Sequence, residues 1–276
     1  MQALRPTFDI DRFFSRVRSS STRVLMLDYD GTLAPFRDRP AEAVPYPGVI
    51  PLLDTMMEAG HTRVVIVSGR WARDLLPLIR LKRRPELWGS HGWERVRTSE
   101  EYESARVGPG VAEMLVAVDE WTEEIEALGG RVENKPAGVA FHWRGLSGDR
   151  VAAIRYALTV RWAALASSNE IEWHDFDGGI EIRAAGRNKG DVVRALFAEA
   201  GSSAAIAYLG DDLTDEDAFE AVPPHGVAVL VREQLRSTAA DVWIKPPDEL
   251  LEFLRRWHET ARGQDHKESR DADGTC

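Results

Sequence analysis

The sequence predicts an α/β fold with a parallel-sheet, Rossmann-like core that is interrupted by an inserted α+β segment. Short runs that are apolar throughout recur along the chain, and each is followed by a polar loop and a helical pattern. Strands that helices bury on both faces have this composition, because neither face meets water. Between residues 108 and 184 the repeat gives way to paired strands and amphipathic helices, which predicts a second layer of different topology.

The composition is typical of a globular protein. With 276 residues, 43% of them hydrophobic and 29% charged, the chain is long enough for one large or two modest domains. The net charge of −10 disfavours a nucleic-acid partner, whose phosphates would be repelled. No apolar run approaches the ~18 residues that span a membrane, and residues 1–20 lack a signal-like core. The single cysteine, Cys276, excludes an internal disulfide framework, so we expect a cytoplasmic protein.

The first repeat places two carboxylates at the end of a buried strand. Asp28, Tyr29, Asp30 and Gly31 directly follow the apolar residues 24–27. Ligands of open α/β sheets bind at the carboxyl ends of the strands, so Asp28 and Asp30 are candidate site residues. The alternative is an ordinary turn, in which Asp and Gly are common.

The next repeats end in similar loops. The apolar residues 64–67 are followed by Ser68 and by a helix predicted over residues 71–81, for which Ser68 could equally be the N-cap. The basic residues 80–84 are interpreted as the exposed end of that helix, where cations suit the dipole. A further strand leads into a glycine-flanked loop, in which His91 is either a ligand contact or a structural histidine.

The segment between residues 108 and 184 predicts helices and strand pairs. Apolar residues at spacings of three and four predict one helix over residues 111–128, and a second is predicted over residues 149–166. Alternating residues predict four strands, the last two joined by a turn at Gly178 and Gly179. These strands cover residues 131–135, 139–144, 171–176 and 180–183. The order predicts an antiparallel sheet with helices on one face.

The α/β pattern then resumes. Its elements are a helix over residues 188–200, strands over 204–209 and 226–231, and a closing helix over 249–262. Lys189 begins the first of these helices, and Asp211, Asp212 and Asp215 follow the first strand. The polar residues 263–276 are expected to be disordered.

Three predicted strands therefore end in polar clusters at one edge of a parallel sheet. Asp28 with Asp30, then Ser68, then the acidic loop after residue 209 would meet there. So many carboxylates repel each other unless a hard cation lies between them, and Mg²⁺ prefers oxygen ligands. The sequence thus predicts a metal site. Thr214 and Asp217 fit a capping box, which assigns Asp217 to the helix start and leaves the other aspartates for the site.

The spacing of the two aspartates suits phosphoryl transfer. A carboxylate beside Mg²⁺ can attack phosphorus and form an aspartyl phosphate, while a second one protonates the leaving oxygen and later activates water. Asp28 and Asp30 suit these roles, and the Asp30 carbonyl can also reach the metal. The oxygens of the transferred phosphoryl group need nearby positive charge and hydrogen-bond donors. Candidates are Lys189, the Ser68 hydroxyl, and backbone amides near Gly31 and Gly69. Taken alone, Lys189 would be an exposed surface lysine.

Together these residues resemble the haloacid-dehalogenase superfamily of phosphotransferases. Its signature is an Asp-x-Asp-Gly-Thr loop, a Ser or Thr after the second strand, a Lys, and an acidic Gly-Asp-Asp loop. The sequence is most similar to one family within it, the trehalose-6-phosphate phosphatases. The strings that carry this similarity are DYDGTLAP at 28–35, VSGR at 67–70, HGWE at 91–94, HWR at 142–144, EIR at 181–183, NKG at 188–190 and LGDDLTDE at 209–216.

The resemblance implies a role for each catalytic residue. Asp28 would be the nucleophile and Asp30 the acid and base, with Ser68, Lys189 and Asp215 completing the catalytic set. The Mg²⁺ ligands would be Asp28, the carbonyl of Asp30, and Asp211. Phosphate and substrate contacts are assigned to Gly31, Thr32, Ser68, Gly69, Arg70, His91, Glu133, Lys135, His142, Arg144, Glu181, Lys189 and Asp212.

The resemblance also implies that the inserted segment is a cap that closes over the core. Glu133, Lys135 and Glu181 would contact glucose hydroxyls. Glu133 and Lys135 share one face of a predicted strand, although a solvated sheet face would also be polar. The sequence departs from the family at Trp93 and at residues 183–187, where a hinge proline is expected.

The function implied by the resemblance is Mg²⁺-dependent hydrolysis of trehalose 6-phosphate. The domains would be a core of residues 1–107 and 185–262 and a cap of residues 108–184. We expect a small-molecule sugar phosphate as ligand, no nucleic-acid or membrane partner, and a monomer. The alternatives are a phosphatase for another phosphorylated disaccharide or a glycosyl-glycerate, and a non-catalytic sugar-phosphate sensor or regulatory subunit of a synthase.

Overall fold

The computed structural model describes residues 1–37, 39–165 and 168–263 of the chain. The tail expected to be disordered, residues 263–276, lies outside these ranges apart from Gly263. Within them, no helix has the length and apolar character that crossing a membrane requires. The described residues form a nine-stranded sheet and a four-stranded sheet, each packed against helices.

The larger sheet is parallel at its centre. Its strands, numbered along the chain, are β1 (Gln2–Ala3), β2 (Arg23–Asp28), β3 (Arg63–Val67), β4 (Glu86–Gly89), β5 (Glu94–Val96), β6 (Tyr102–Ser104), β11 (Ala205–Gly210), β12 (Val227–Val231) and β13 (Val242–Ile244). They lie in the order β1-β13-β12-β11-β2-β3-β4-β5-β6. Every neighbouring pair from β13 to β4 is parallel, and β1, β5 and β6 extend the edges antiparallel.

Helices cover both faces of this sheet. One face carries α1 (Ile10–Ser19), α2 (Val49–Ala59) and α9 (Asp248–Arg262), and the other carries α7 (Lys189–Ala200) and α8 (Glu216–Ala221). In β2, Leu25 and Leu27 point to the first face, whereas Val24 and Met26 point to the second, and all four are buried. The predicted α/β core, with strands buried on both faces, is therefore confirmed.

The inserted segment forms the smaller, antiparallel sheet. Its strands β7 (Arg131–Lys135), β8 (Gly138–His142), β9 (Ile171–Phe176) and β10 (Gly179–Ala184) lie in the order β7-β8-β10-β9. One face packs on α4 (Pro109–Asp119), α5 (Thr122–Ala127) and α6 (Gly148–Trp162). Ile180 and Ile182 point into that core, so Glu181 between them lies on the opposite, polar face. The inserted α+β layer is as predicted, and the domain boundaries themselves stay a prediction.

Two predicted helices differ in the structure. The helix predicted over residues 71–81 is only α3 (Ala72–Leu75), because Pro77 lacks the N–H that would continue the helical hydrogen bonds. The basic residues 80–84 therefore do not form a helix end. The helix predicted over residues 111–128 is divided at Trp121, whose buried indole stacks on Phe141 with ring centroids 6.2 Å apart.

The strand order brings the predicted polar strand ends together. β11, β2 and β3 are parallel neighbours, so Asp211, Asp28 and Ser68 meet at one edge of the sheet. The chain order reverses beside β2, because β3 and β4 follow on one side and β11 and β12 lie on the other. Ligands of open α/β sheets bind at such a switch point.

Candidate active site

A cavity of about 800 Å³ lies between the carboxyl edge of the large sheet and the polar face of the small sheet. Most of the predicted site residues line it: Asp28, Asp30, Ser68, Gly69, Arg70, His91, Glu133, Lys135, His142, Arg144, Glu181, Lys189, Asp211 and Asp212. Gly31, Thr32 and Asp215 are the predicted site residues that do not line it. The structure therefore gathers residues from both sheets around one space.

A buried lysine joins two aspartates at the floor of the cavity. Lys189 begins α7, and its Nζ donates to Asp28 Oδ1 and to Asp215 Oδ1, at 2.7 Å each. The Lys189 side chain is 3% exposed, so the alternative of an exposed surface lysine is wrong. Asp211 lies beside this group, and its nearest carboxylate oxygens come within 4.8 Å of those of Asp28 and Asp215.

Burial and repulsion perturb these carboxylates. Burial raises the pKa of Asp28 to about 8, although the Lys189 ammonium opposes the rise. Burial and the nearby Asp28 also raise the pKa of Asp211. Burial would raise the pKa of Asp215 as well, but Lys189 outweighs it and lowers the pKa below the ordinary value. One ammonium thus faces three buried carboxylates, and the cluster is short of positive charge.

The cluster fits a hard cation. Asp211 Oδ1 is buried and has no hydrogen-bond partner among the residues that the structure describes. A buried carboxylate oxygen without a partner is costly, and oxygen is the ligand that Mg²⁺ and similar ions prefer. Asp28 and Asp211 are the better candidates for metal ligands, because the oxygens of Asp215 are already engaged.

Asp215 lies behind the cluster and is fully buried. In addition to Lys189, its Oδ1 accepts a hydrogen bond from the Tyr208 hydroxyl at 2.6 Å. Its Oδ2 accepts from the backbone amides of Asp211 and Asp212, at 3.1 and 3.0 Å. These contacts allow Asp215 to orient Lys189 and the acidic loop. They also hold it away from the cavity surface, whereas direct contact with a substrate would require a position on that surface.

The acidic loop is capped differently from the prediction. Asp212 and Asp215 form the capping box of the short 3₁₀ turn Leu213–Asp215. The predicted box of Thr214 and Asp217 is wrong, because the turn begins at Asp212 rather than at Thr214. Sequence reasoning favoured a Thr at the N-cap, but an Asp is at least as effective there.

Arg70 fixes Asp30 at the cavity wall. Its Nε and Nη2 donate to the two carboxylate oxygens of Asp30, at 2.6 Å each, and its Nη1 donates to the carbonyl of Pro40 at 2.9 Å. A bidentate pair of this kind is strong and sets the orientation of both groups. The Asp30 side chain therefore faces a guanidinium, which leaves its backbone carbonyl as the group free to serve as the predicted metal ligand.

The polar groups of the loops around Asp28 differ in whether they already have a hydrogen-bond partner. Ser68 Oγ accepts from the Arg70 amide at 3.1 Å and does not cap α3. The Gly31 amide donates to the Ala34 carbonyl at 2.7 Å, and the assignment of Gly31 to phosphate binding stays a prediction. Thr32 Oγ1 is buried without a partner among the described residues, but Thr32 does not line the cavity, and its assignment as a ligand contact stays a prediction.

The polar face of the small sheet presents paired charges to the cavity. Glu133 and His142 lie 3.0 Å apart, and Glu181 lies 2.9 Å from His91 and 3.2 Å from Lys135. Burial alone would raise the pKa of Glu133, but the hydrogen bond from His142 and the charge of Lys135 lower it to about 2. Both carboxylates are therefore ionised acceptors in a mostly buried setting.

Several contacts join the small sheet to the large one, among them the following two. The Asp177 amide, in the turn between β9 and β10, donates to Asp212 Oδ2 at 3.0 Å. The guanidinium of Arg144 lies over the Phe36 ring, 4.3 Å from its centroid. The predicted substrate contacts Asp212 and Arg144 thus also take part in contacts between the two sheets, as do His91 and Glu181.

Sequence reasoning missed several cations that line the cavity. Arg73, Arg80 and Arg131 belong to its wall, together with Arg37. Arg80 lies in the basic run that was interpreted as a helix end. Arg131 is on the same strand face as Glu133, two positions away, so strand alternation could have found it.

Comparison with known proteins agrees with this geometry. The chain matches the protein-family model described as trehalose-phosphatase over residues 26–242. It is similar to the trehalose-phosphate phosphatase of Mycobacterium ulcerans (strain Agy99), with 34% identity over 251 residues that cover 84% of this chain and 60% of that protein. The chain thus spans about 60% of the length of the curated relatives that it matches.

Solved structures share the fold. The C-terminal domain of C. albicans trehalose-6-phosphate phosphatase has a TM-score of 0.74 at 22% identity, covering 94% of this chain and 99% of that one. A Bacteroides thetaiotaomicron protein described among phosphatases of the haloalkanoate (HAD) enzyme superfamily has a TM-score of 0.57 at 17% identity, covering 87% and 96%. At these identities the likeness establishes the architecture, which is the one predicted.

Proposed function

This chain belongs to the trehalose-phosphatase family, and we propose that it hydrolyses trehalose 6-phosphate to trehalose and phosphate with the help of Mg²⁺. One observation carries the proposal. A single cavity holds the cluster of Asp28, Lys189 and Asp211 together with the charged sheet face that contains Glu133 and Glu181. The first group suits a phosphoryl group, and the second suits the hydroxyls of a sugar.

Asp28 and Asp30 perform the chemistry in this proposal. Asp28 attacks phosphorus to form an aspartyl phosphate, and the bond between phosphorus and the sugar oxygen breaks as Asp30 gives that oxygen a proton. Asp30 then takes a proton from water, which attacks the aspartyl phosphate, releases phosphate and restores Asp28. Both carboxylate oxygens of Asp30 accept from Arg70, so at least one of these hydrogen bonds has to open for Asp30 to carry the proton of the first step.

Positive charge at the reaction centre comes from the chain and from the metal. Lys189 stays an ammonium, because Asp215 and Asp28 raise its pKa against the opposing effect of burial. Mg²⁺ held by Asp28, Asp211 and the Asp30 carbonyl would neutralise the remaining negative charge and polarise the phosphoryl oxygens. Ser68, which lines the cavity beside Asp28, is placed to donate its hydroxyl hydrogen to the phosphate.

The small sheet recognises the sugar. The carboxylates of Glu133 and Glu181 are ionised and accept hydrogen bonds from hydroxyls, while Lys135 and Arg144 donate. Glu181 already pairs with Lys135 and Glu133 with His142, so the positions of both carboxylates are set before the substrate enters, which lowers the entropic cost of binding.

The test is phosphate release from trehalose 6-phosphate beside glucose 6-phosphate, sucrose 6-phosphate and a phosphorylated glycosyl-glycerate, with Mg²⁺ and with excess chelator. We expect trehalose 6-phosphate to have the highest kcat/KM, and the chelator to abolish turnover until Mg²⁺ is restored. Asp28→Asn should release no phosphate while its circular dichroism stays native. Full activity in that variant would contradict the mechanism, and comparable rates on every substrate would contradict the specificity.

A second candidate substrate has support from the cavity wall. Arg73, Arg80 and Arg131 suit a substrate that carries an anionic group besides the phosphate, as a glycosyl-glycerate does. A higher kcat/KM for that compound in the same panel would establish this alternative. Binding without turnover of any of them would instead favour a sugar-phosphate sensor.

Location and oligomeric state are part of the proposal. The single cysteine of the sequence suits a reducing compartment, and we propose a cytoplasmic monomer. Cell fractionation and size-exclusion chromatography with light scattering test these two statements.

A further inference from the structure

A turn after β4 has an unusual backbone. Ser90 and His91 have φ of 48° and 55°, and Gly92 after them has φ of 97°. Residues with a Cβ seldom adopt the left-handed region, and two in succession persist only where the surroundings hold them. Such strain is found most often at functional sites, so the contacts that hold this turn are informative.

The turn is tied to the loop that follows β3. The Ser90 amide donates to the Arg70 carbonyl at 2.8 Å, and the His91 amide donates to the Ser68 carbonyl at 3.0 Å. Glu94 Oε1 accepts from the Ser90 hydroxyl at 2.8 Å and from the Ala72 amide at 3.1 Å. The position of the turn and the position of the loop around Ser68 are therefore fixed together.

The His91 ring lies between that loop and the small sheet. It covers Gly69 so closely that a Cβ there would come within 2.5 Å of His91 Nε2. The same nitrogen is 2.9 Å from Glu181 Oε2, and the other oxygen of Glu181 is 3.2 Å from Lys135 Nζ. The side chains of His91 and Glu181 are only 5% and 4% exposed, so little water competes for this contact.

The direction of the hydrogen bond follows from the surroundings of both groups. Burial lowers the pKa of His91 to about 3, so the ring is neutral. Lys135 and His91 hold the pKa of Glu181 well below its usual range against the effect of burial, so Glu181 is a carboxylate. A carboxylate only accepts, and the proton of the neutral ring therefore lies on Nε2. His91 Nδ1 is left without a partner among the described residues.

We propose that His91 is a positioning residue that couples sugar recognition on the small sheet to the phosphate-binding loop of the large sheet. It orients the Glu181 carboxylate through Nε2, and it braces the loop through its ring on Gly69 and its amide on Ser68. The proposal rests on the proposed function in one respect, the contact of Glu181 with the sugar. It differs from the sequence prediction, in which His91 itself contacts the ligand.

The coupling is tested with His91→Asn and two substrates. Asn tolerates the left-handed backbone but is too short to reach Glu181. We expect kcat/KM for trehalose 6-phosphate to fall by roughly 10- to 100-fold, the effect of one lost hydrogen bond to a charged group. p-Nitrophenyl phosphate has no hydroxyls that Glu181 could bind. The decrease in kcat/KM of His91→Asn should therefore be at least about tenfold smaller with this substrate.

A matched control and a rescue separate coupling from folding. His258→Asn changes a histidine of α9, outside the lining of the cavity, and it should leave both substrates unaffected. His91→Gln keeps an N–H donor near the Nε2 position and should recover part of the loss on the sugar phosphate. The double variant with Glu181→Gln should be no worse than the poorer single variant, since both remove one contact.

Binding gives a second readout that does not require turnover. In an Asp28→Asn background, His91→Asn should raise the Kd of trehalose 6-phosphate, measured by calorimetry, roughly tenfold. It should change the Kd of inorganic phosphate far less. Equal losses on the sugar phosphate and on the small phosphate would overturn the coupling and leave a structural role. If the wild-type enzyme cleaves p-nitrophenyl phosphate but prefers another sugar phosphate, only the proposed substrate is overturned. His91→Asn is then compared with the wild type on that sugar phosphate.

Discussion

Gly31 separates the first strand end from the acidic loop. Its φ is +82°, and a Cβ on it would lie 2.1 Å from Asp211 Oδ2. The absence of a side chain therefore lets Asp211 approach Asp28 and Asp30, which precede Gly31 in the sequence. A glycine that looks like a turn residue in the sequence is, in the structure, what brings the candidate metal ligands together.

Gly31→Ala should impair catalysis much more than stability. The added methyl group displaces Asp211, so phosphate release should fall by about 100-fold or more and need a higher Mg²⁺ concentration. The left-handed backbone adds about 1 kcal/mol of destabilisation. Activity titrated with Mg²⁺ and unfolding in urea measure the two effects.

Gly60→Ala is the matched control for that experiment. Gly60 has φ of +74° at the end of α2, but no atom lies within 4 Å of a Cβ placed there. It should lose similar stability and keep its activity. Equal activity losses in the two variants would show that backbone strain, and not the clash with Asp211, explains the effect.

The helix that supplies Lys189 is anchored at its other end. Glu199, near the end of α7, accepts from Arg95 of β5 at 2.7 and 2.9 Å and from Arg63 of β3 at 2.7 Å. Both arginines also pair with Glu86 of β4. This network ties α7 to three strands, and so helps to hold the helix that carries Lys189 against the sheet.

Glu199→Gln should lower the free energy of unfolding by about 1 kcal/mol at pH 7. The contribution is modest, because the Glu199 side chain is 37% exposed and water screens the pairs. Hydrogen bonds from Arg95 and Arg63 lower the pKa of Glu199 from 4.5 to about 2. The stabilisation is therefore complete above pH 4.5 and declines as the pH falls towards 2.

Urea unfolding of the wild type and the variant at pH 7, 5 and 3.5 measures this difference. We expect the gap between them to be constant from pH 7 to 5 and smaller at 3.5. Glu252→Gln removes an exposed carboxylate of α9 that has no ion pair among the described residues, and it is the control for the change in net charge. A gap that does not depend on pH would mean that the ion pairs do not stabilise the fold.

The charge of the molecule is distributed unevenly. The chain carries a net charge of −10, which opposes the approach of a dianionic sugar phosphate. The cavity wall, however, includes Arg37, Arg73, Arg80 and Arg131. The same wall also carries carboxylates, so these arginines offset only part of the repulsion, by attracting the phosphate at short range.

The kcat/KM of the enzyme should therefore fall as salt is added. Between 50 and 500 mM NaCl we expect a decrease of roughly three- to tenfold, because the Debye length shortens and the attraction is screened. Arg73→Gln with Arg80→Gln should lower kcat/KM at low salt and flatten its dependence on salt. Arg12→Gln with Arg255→Gln changes the net charge equally on the exposed faces of α1 and α9 and is the control. The same response in both double variants would contradict a role for the cavity wall.

Local sequence patterns were sufficient to predict the parallel core and the meeting of its polar strand ends. Continuous apolar runs predicted the central strands, and the rule that strand ends meet at one edge placed Asp28, Ser68 and Asp211 together. Lys189 was selected only in combination with these residues, and it does lie among them in the structure. Such inferences work because strand composition and side-chain alternation depend on residues that are adjacent in the chain.

Only the tertiary structure decided which of these residues pair and which support the others. Three contacts illustrate this, and each joins residues that are far apart in the chain. They are the bidentate contact of Arg70 with Asp30, the hydrogen bond between His91 and Glu181, and the hydrogen bond that Lys189 donates to the buried Asp215. The helix α3 ends at Leu75, shortly before Pro77. Arg80 therefore lies in the cavity wall and not at the end of a helix. These contacts depend on turn geometry and on packing between the two sheets, so local sequence patterns do not encode them separately.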